Sequence, residues 1–308
     1  MKARHFQRVL QRALMVGAPV ALAGCIFDGQ SSCPDNGHDP PRTSTQSVEP
    51  SFANGGALDA AQCQAVCDDS SKLLTCVRED ADSVLCIHEQ LPCEGRRPAG
   101  LRCAQRVTSS GFARYLADAA WLEAASIEAF RALRRELRSH GAPRRLLRSA
   151  SRGARDEARH ARRMRAVARR HGVAVARVQR DATAPRPLVE LAIENAVEGC
   201  VRETWGALVA RHQGACARDR SVRDAMVRIA PDEARHAQLA WEIDAWLAPR
   251  LAPEEKRRVS DARARALAEL EQEVQHELAL RERVRLGLPD AAASRRLLAT
   301  LFTSLPLG

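Results

Sequence analysis

Two copies of the hexapeptide Asp-Glu-Ala-Arg-His-Ala, beginning at Asp156 and at Asp232, carry the residue types best suited to metal chemistry in this chain. Each copy places a glutamate three residues before a histidine: Glu157 before His160, and Glu233 before His236. Residues three apart lie on one side of an α-helix, so each copy points a carboxylate and an imidazole in the same direction. This set of donor atoms suits iron or manganese.

Both motifs lie on the apolar side of a predicted helix rather than on its polar side. The apolar spacing of the helix near 143–170 continues through the first motif, and that of the helix near 219–247 continues through the second. Two further glutamates hold the same inner position in the preceding predicted helices: Glu123 stands 34 residues before the first motif's glutamate, and Glu198 stands 35 before the second's. The repeat is therefore a pair of helices present twice, not a single hexapeptide.

Segments rich in Gly, Pro and Asp divide the chain after residue 110 into helical stretches. Six helices are predicted, at 111–139, 143–170, 187–211, 219–247, 253–285 and 290–302. The connection between the second and third helices is much longer than the turns on either side. Two helical hairpins joined by a long crossover form a standard four-helix-bundle topology. We therefore predict an all-α fold, with the bundle at 110–248 and a helical extension at 253–308.

Four carboxylates and two imidazoles inside such a bundle would be strongly unfavourable without compensating charge. Two divalent cations would supply that charge. The alternative is a metal-free pairing of each motif's glutamate with a histidine, but it leaves Glu123 and Glu198 buried without partners. Bundles in which two helices each give one glutamate and two give Glu-x-x-His hold a pair of metal ions.

The ordered pattern E…ExxH…E…ExxH over residues 111–247 resembles the ferritin-like di-iron carboxylate superfamily, and the D-E-x-R-H motif of many of its oxidases matches both copies. The resemblance implies six metal ligands: Glu123, Glu157, His160, Glu198, Glu233 and His236. It implies two iron ions, bridged by the glutamate of each ExxH, with manganese as the other metal that suits these ligands. Asp156 and Asp232 would orient the ligand histidines from behind. Arg159 and Arg235 would balance the charge of those aspartates.

The first 24 residues have the form of a lipoprotein signal peptide. A basic segment, MKARHFQRVLQR, precedes an apolar stretch that is too short to span a bilayer as a helix. The stretch ends in LAGC, which resembles the lipobox of bacterial lipoproteins and implies a lipid anchor on Cys25. Ile26 does not match the inner-membrane retention signal, so the outer membrane or its periplasmic face is favoured. An ordinary secretory signal with an incidental cysteine is the alternative.

A tether and a cysteine-rich module are expected between the anchor and the helices. Residues 25–55 are rich in Ser, Pro, Asp and Gly and are predicted to be flexible. Residues 56–104 contain six cysteines: Cys63, Cys67, Cys76, Cys86, Cys93 and Cys103. In an exported chain this density predicts a small disulfide-rich module, and the sequence does not choose among the possible pairings. A metal site is the rival interpretation, but the absence of any Cys-x-x-Cys pair argues against it.

The chain carries a formal net charge of +10, and all but three of its basic residues are arginines. That balance raises the possibility of nucleic-acid binding. The alternative is an arginine-rich helix surface exposed to solvent, and we favour it because an exported protein does not meet genomic DNA. No nucleic-acid partner is therefore predicted.

Four other residues lie near the predicted ligands: Glu128, Glu194, Glu203 and Tyr115. On an α-helix Glu128 and Glu203 stand about 140° from the inner glutamates, which favours a flanking position. Glu194 lies one turn before Glu198 and could be a further carboxylate of the metal site. Tyr115, the only tyrosine, is expected in the core.

The lipobox, the cysteine-rich segment, and the segments GRRPAGL (95–101) and EAASIEAF (123–130) together resemble bacterial ferritin-like lipoproteins. That resemblance brings no particular reaction with it. We expect an exported di-iron oxidoreductase that uses dioxygen or peroxide on an unknown small-molecule substrate. An iron-binding or ferroxidase envelope protein, whose substrate is the metal itself, is one alternative. An interaction module that keeps a metal only for stability is another.

Overall fold

A computed structural model of the chain describes residues 42–47, 63, 66, 73–80, 83–88, 101–102, 111–180, 183–274 and 278–303. The predicted signal peptide and its Cys25 lie outside the described residues. None of the described helices is both long enough and apolar enough to span a membrane. The chain divides into two compact units, one formed by Gln30–Cys93 and the other by Met1–Gly29 together with Glu94–Gly308.

The unit Gln30–Cys93 contains an antiparallel sheet of three strands in the order β1-β3-β2. The strands are β1 (Arg42–Ser47), β2 (Leu73–Asp80) and β3 (Ser83–His88). A disulfide joins Cys63 to Cys76 on β2, and both cysteines are buried. This pair is one disulfide of the kind that the predicted module requires.

Strand β1 falls within the segment 25–55, which the sequence predicts to be a flexible tether. All six of its residues pair with β3, from Arg42 opposite His88 to Ser47 opposite Ser83. A strand can be held through backbone hydrogen bonds alone, and a polar composition does not reveal that pairing. These six residues therefore belong with the disulfide-bonded sheet.

The second unit is mostly helical, which confirms the all-α prediction for the part of the chain that carries the motifs. Its helices are α1 (Gly111–Ser139), α2 (Arg144–Arg170), α3 (Leu188–Glu194), α4 (Thr204–Cys216), α5 (Arg220–Leu247), α6 (Pro253–Glu273), α7 (Leu280–Leu286) and α8 (Ala291–Thr303). A π-helical segment, Asn195–Glu203, joins α3 to α4 without a break. The two-residue strands β4 (Leu101–Arg102) and β5 (Gln179–Arg180) pair with each other, and β5 lies in the crossover.

Helices α1 and α2 end in the same way, at a His-Gly pair. Gly141 has a φ of 71° and Gly172 a φ of 69°, a left-handed conformation that glycine adopts without a side-chain clash. The residue after each glycine donates a backbone hydrogen bond to the last turn: Ala142 to Leu137 at 2.8 Å, and Val173 to Ala168 at 2.9 Å. Both ends are Schellman motifs, which fix where each helix stops and the next segment departs.

Four long helical stretches pack as two hairpins. Helix α1 packs on α2, the stretch from α3 through the π segment to α4 packs on α5, and α2 and α5 pack on each other. Helix α6 covers the π segment and α3. Two buried apolar clusters fill the interior, one centred on Leu116 and Leu208 and the other on Phe130 and Leu146. The helices that carry the two motifs are therefore in direct contact.

The observed helices differ from the predicted ones at three places. The predicted break at 212–219 begins too early, because Gly214 stays helical and lets α4 approach α5; a Cβ at Gly214 would stand 3.2 Å from the backbone nitrogen of Val227. The predicted helix 253–285 is divided into α6 and α7, although the connecting residues contain neither glycine nor proline. The third difference is the π segment, which alters the faces of the third helix.

Candidate metal centre

The structure brings four of the predicted ligands into one cluster: Glu123, Glu157, His160 and Glu233. Each offers a ligand atom, and these atoms all lie within 4.8 Å of one another. They come from three helices, because α1 supplies the first, α2 the next two and α5 the last. The prediction that glutamate and histidine side chains form a group able to hold a metal ion is confirmed.

His160 stands at the middle of this cluster, with its side chain only 1% exposed. Its Nδ1 lies 3.0 Å from Glu233 Oε1, 3.3 Å from Glu123 Oε2 and 3.7 Å from Glu157 Oε2. Neither His160 Nδ1 nor Glu233 Oε1 has the geometry of a hydrogen bond to any described residue. A ring nitrogen that faces three carboxylates without bonding to them is the arrangement expected around a cation.

His236 faces the same two motif glutamates as His160, from the opposite helix. Its Nδ1 lies 2.9 Å from Glu157 Oε1 and 3.7 Å from Glu233 Oε2. The corresponding distances from His160 Nδ1 are 3.0 Å to Glu233, on the other helix, and 3.7 Å to Glu157, on its own helix. Each motif glutamate thus turns one carboxylate oxygen toward each histidine. The two motifs are related by an approximate twofold axis between α2 and α5.

The aspartates of the two motifs lie behind the histidines in a crossed arrangement. His160 Nε2 donates a hydrogen bond to Asp232 Oδ2 at 3.1 Å, and His236 Nε2 lies 3.5 Å from Asp156 Oδ2. Each aspartate therefore faces the histidine of the opposite helix rather than its own. A carboxylate behind a ligand histidine fixes the ring orientation and its tautomer.

Two arginines complete this crossed arrangement. Arg159 Nη2 donates to Asp156 Oδ1 at 2.5 Å and to Asp232 Oδ2 at 3.0 Å. Arg235 Nη2 donates to Asp156 Oδ2 at 3.2 Å and also to Asp232 Oδ1. Each guanidinium thus joins the aspartates of α2 and α5. The four side chains cross-link the two helices directly behind the cluster.

The electrostatics of the cluster favour protonated imidazoles. Burial raises the pKa of the Glu123 carboxyl well above its ordinary value. Burial acts in the same direction on Glu233, but the neighbouring imidazoles of His236 and His160 outweigh it and lower the Glu233 pKa. Burial alone would lower the pKa of each imidazole, yet the surrounding carboxylates raise both pKa values well above the ordinary range. Protons on the imidazoles therefore supply charge that a metal cation would replace.

The pKa of Asp156 reflects its contacts with the histidine and arginines around it. Burial acts to raise it, but hydrogen bonds from His236, Arg159 and Arg235 outweigh burial and lower it below its ordinary value. The pKa of Asp232 is lowered in the same way, chiefly by His160 and Arg235 against the effect of burial. Both aspartates therefore remain ionised under the two histidines.

Two of the six predicted ligands, Glu198 and His236, are not among the four residues of this group. Glu198 lies in the π segment, where the hydrogen bonds run from i to i+5 and each turn contains more residues than in an α-helix. Residues five apart, such as Glu198 and Glu203, are therefore closer in direction than the roughly 140° by which an α-helix would separate them. The prediction that Glu203 has only a flanking position assumed α-helical geometry.

Glu203 lines the same cavity as Glu123, Glu157 and Glu233, and it is buried. The position of Glu203 along the helix axis also matches that of the cluster. Gly214 of α4 meets Val227 of α5, and the two helices run in opposite directions. Glu203 lies eleven residues before Gly214, and Gln238 lies eleven after Val227, so Glu203 stands close to the level of His236. The position of Glu203 depends on the π-helical geometry of this segment, and the sequence pattern does not reveal that geometry.

The cavity beside the cluster has a volume of about 120 Å³ and lies between α1 and α4. Its other walls are mostly small or apolar and include Ala119, Gly206, Met226 and Ile229. Tyr115 also lines it and donates a hydrogen bond to Gln213 at 3.1 Å. The cluster therefore faces a space that admits a small molecule.

Glu128 and Glu194 pair with arginines instead of joining the cluster. Glu128 accepts a hydrogen bond from Arg131 at 2.5 Å on the outer side of α1. Glu194 pairs with Arg186 of the crossover, which also donates to Glu136 at 2.7 and 2.8 Å. This network ties the crossover to α1 and α3, away from the cluster.

No family model, no curated protein sequence and no solved structure matches this chain. The helices bring together a group of carboxylates and imidazoles that is buried at Glu157 and His160, partly exposed at Glu123 and Glu233, and next to a small cavity.

Proposed function

We propose that residues 110–248 form a ferritin-like four-helix bundle that binds two iron ions, and that the chain is an exported oxidoreductase using dioxygen or peroxide. The observation that carries this proposal is the position of His160 Nδ1 among three carboxylate oxygens, together with that of His236 Nδ1 beside the same two motif glutamates. Carboxylate-rich sites with one imidazole per metal suit iron, and manganese has the same preferences.

Support for two metals rather than one comes from the two motif glutamates. Glu157 directs Oε2 toward His160 and Oε1 toward His236, and Glu233 does the reverse. Both carboxylates would then bridge a pair of cations. Glu123 would complete one half of the site from α1. We infer that Glu203, rather than Glu198, completes the other half from the third helix.

A pair of iron ions would supply the electrons that reduce dioxygen or peroxide. The side chains around the site have separate tasks. Asp156 and Asp232 hold the histidine rings in orientation, and the arginines that bridge these aspartates keep α2 and α5 at a constant separation. The mostly apolar walls of the cavity exclude bulk water from the side where a small oxidant would arrive.

Metal content and oxidant chemistry test the proposal together. The mature chain, purified after reconstitution with ferrous iron, is expected to contain about two iron ions per chain. A peroxide-dependent absorbance change should accompany oxidation. Glu157→Gln should lose both, and Glu128→Gln, on the outer side of α1, should retain both. Failure of the wild-type chain to retain iron or manganese would overturn the proposal.

The same experiment distinguishes the other functions open to such a site. Accumulation of many iron atoms per chain, rather than about two, would indicate iron storage or ferroxidase activity. A third outcome would indicate an interaction module with a structural metal. In that case removal of the metal unfolds the helices, and the metal-loaded protein reacts with no oxidant.

We also propose that the chain is anchored at the cell envelope through a lipid on Cys25. Only the sequence of residues 1–25 supports this, because these residues lie outside the described part of the structure. Expression of Cys25→Ala should move the protein from the membrane fraction to the soluble periplasmic fraction. An unchanged distribution would contradict the lipid anchor.

A further inference from the structure

Helix α2 has an unusually basic outer surface. It contains eleven arginines among its 27 residues, and its only acidic residues are Asp156 and Glu157. Both of those acidic side chains are buried. The solvent side of α2 therefore presents cationic side chains with no carboxylate of its own helix among them.

Five of these arginines form a straight row, which we call the arginine stripe: Arg144, Arg148, Arg155, Arg162 and Arg169. All five are exposed. At 100° per residue they fall within an arc of about 60°, roughly opposite the buried residues Leu146 and Met164. From first to last the row is about 38 Å long at helical rise.

The arginines that form ion pairs lie beside this row rather than in it. Arg145 pairs with Glu242 at 3.2 Å, and Arg159 pairs with the two motif aspartates. Within the described part of the chain, none of the five stripe arginines forms an ion pair. The stripe thus holds five like charges with no compensation from the fold, which is electrostatically unfavourable unless an anion partner is available.

We propose that the arginine stripe docks the helical unit against an anionic lipid surface. Guanidinium groups present a planar set of donors that matches phosphate oxygens, and a straight row on one helix face can meet a flat layer of phosphates along its whole length. The outer face of α2 carries no exposed large apolar side chain. Binding would therefore be electrostatic and peripheral.

Nucleic acid is the other polyanion that such a row could bind, and two observations favour lipid. Single-stranded nucleic acids are bound by aromatic side chains that stack on bases, and α2 has no Phe, Tyr or Trp. The sequence also predicts a lipid at Cys25, which would keep the helical unit close to a bilayer. The proposal uses the anchor only for this choice and does not depend on the metal site.

Vesicle co-sedimentation tests the proposal with the mature chain carrying Cys25→Ser, which removes the predicted attachment site. We expect binding to phosphatidylcholine vesicles that contain phosphatidylglycerol, no binding to phosphatidylcholine alone, and release by high salt. The stripe variant is Arg148→Gln with Arg155→Gln and Arg162→Gln. It should weaken partitioning about a hundredfold, because each basic residue near an anionic membrane contributes separately.

A matched control removes the same charge from α6, through Arg257→Gln, Arg258→Gln and Arg265→Gln, which are also exposed. This variant should bind vesicles within about twofold of the parent. Equal losses in both variants would overturn the proposal, since net charge alone would then explain binding. Tighter binding to an oligonucleotide than to the anionic vesicles would also overturn it. Metal content and helical circular dichroism, measured on every variant, separate a failed fold or a failed metal site from a failed docking surface.

Discussion

Asp156→Asn tests how α2 and α5 are held around the cluster. Only 3% of the Asp156 side chain is exposed, and it accepts hydrogen bonds from Arg159 at 2.5 Å and from Arg235 at 3.2 Å. Asparagine preserves the size and shape of the side chain but removes its negative charge. Two guanidinium groups and the His236 ring would then lose the carboxylate that they share.

The magnitude follows from burial and from screening. Breaking a buried charge pair by removing one partner costs about 3–5 kcal/mol. Arg159 and Arg235 are 45% and 33% exposed, so water compensates part of the lost interaction. We therefore expect the free energy of unfolding to fall by about 3 kcal/mol, the lower end of that range. Asp224→Asn is the control, because Asp224 pairs with Arg220 at 3.6 Å where both side chains are exposed, and its loss should stay below about 1 kcal/mol.

Urea unfolding of the metal-free protein measures both effects, at pH 7 and in acid. Because the pKa of Asp156 is lowered in the folded state, its contribution to stability is present above the unfolded pKa of about 3.9 and is lost as the pH falls below it. The wild type should therefore lose more stability below about pH 4 than Asp156→Asn does. Equal losses for Asp156→Asn and Asp224→Asn at pH 7 would refute the conclusion that the crossed pairs hold the helices together.

Three further predictions concern the metal and the cavity. Glu203→Gln should lower bound iron from about two ions per chain to about one, whereas Glu198→Gln should leave it unchanged, as measured by elemental analysis. Gly206→Leu should keep the metal and the fold, because nothing lies within 4 Å of an added Cβ, but should slow peroxide consumption about tenfold by filling the cavity. Carboxylates raise the pKa of His160 in the metal-free cluster, so metal binding should release protons and tighten as pH rises, as titration calorimetry in buffers of different ionisation enthalpy would show.

Much of the cluster could be predicted from the sequence because its ligands lie on regular α-helices. In α1, α2 and α5 a constant 3.6-residue period relates Glu123, the two Glu-x-x-His motifs and the apolar residues around them to one buried side. The Gly-containing turns after α1 and α2 also mark where those helices end. The sequence reveals features of this kind because each depends on local spacing or on a local backbone preference.

The third helix could not be predicted in the same way. The π segment adds backbone to each turn, and this turns Glu203 toward the cavity against an expectation based on α-helical geometry. No residue type in Asn195–Glu203 signals this change. The crossed pairing of Asp156 with His236, and of Asp232 with His160, was equally hidden because it depends on how α2 and α5 pack. Strand β1 could not be predicted because it is held by backbone pairing, and its sequence has no apolar pattern.

Anomalous diffraction from crystals loaded with ferrous iron tests the central claim most directly. We predict two iron peaks inside the bundle, one next to His160 Nδ1 and Glu123 and the other next to His236 Nδ1 and Glu203, with Glu157 and Glu233 contacting both. A single peak would contradict the bridging role of these two glutamates. Iron bound only at other residues, with none beside either histidine, would contradict the metal centre itself.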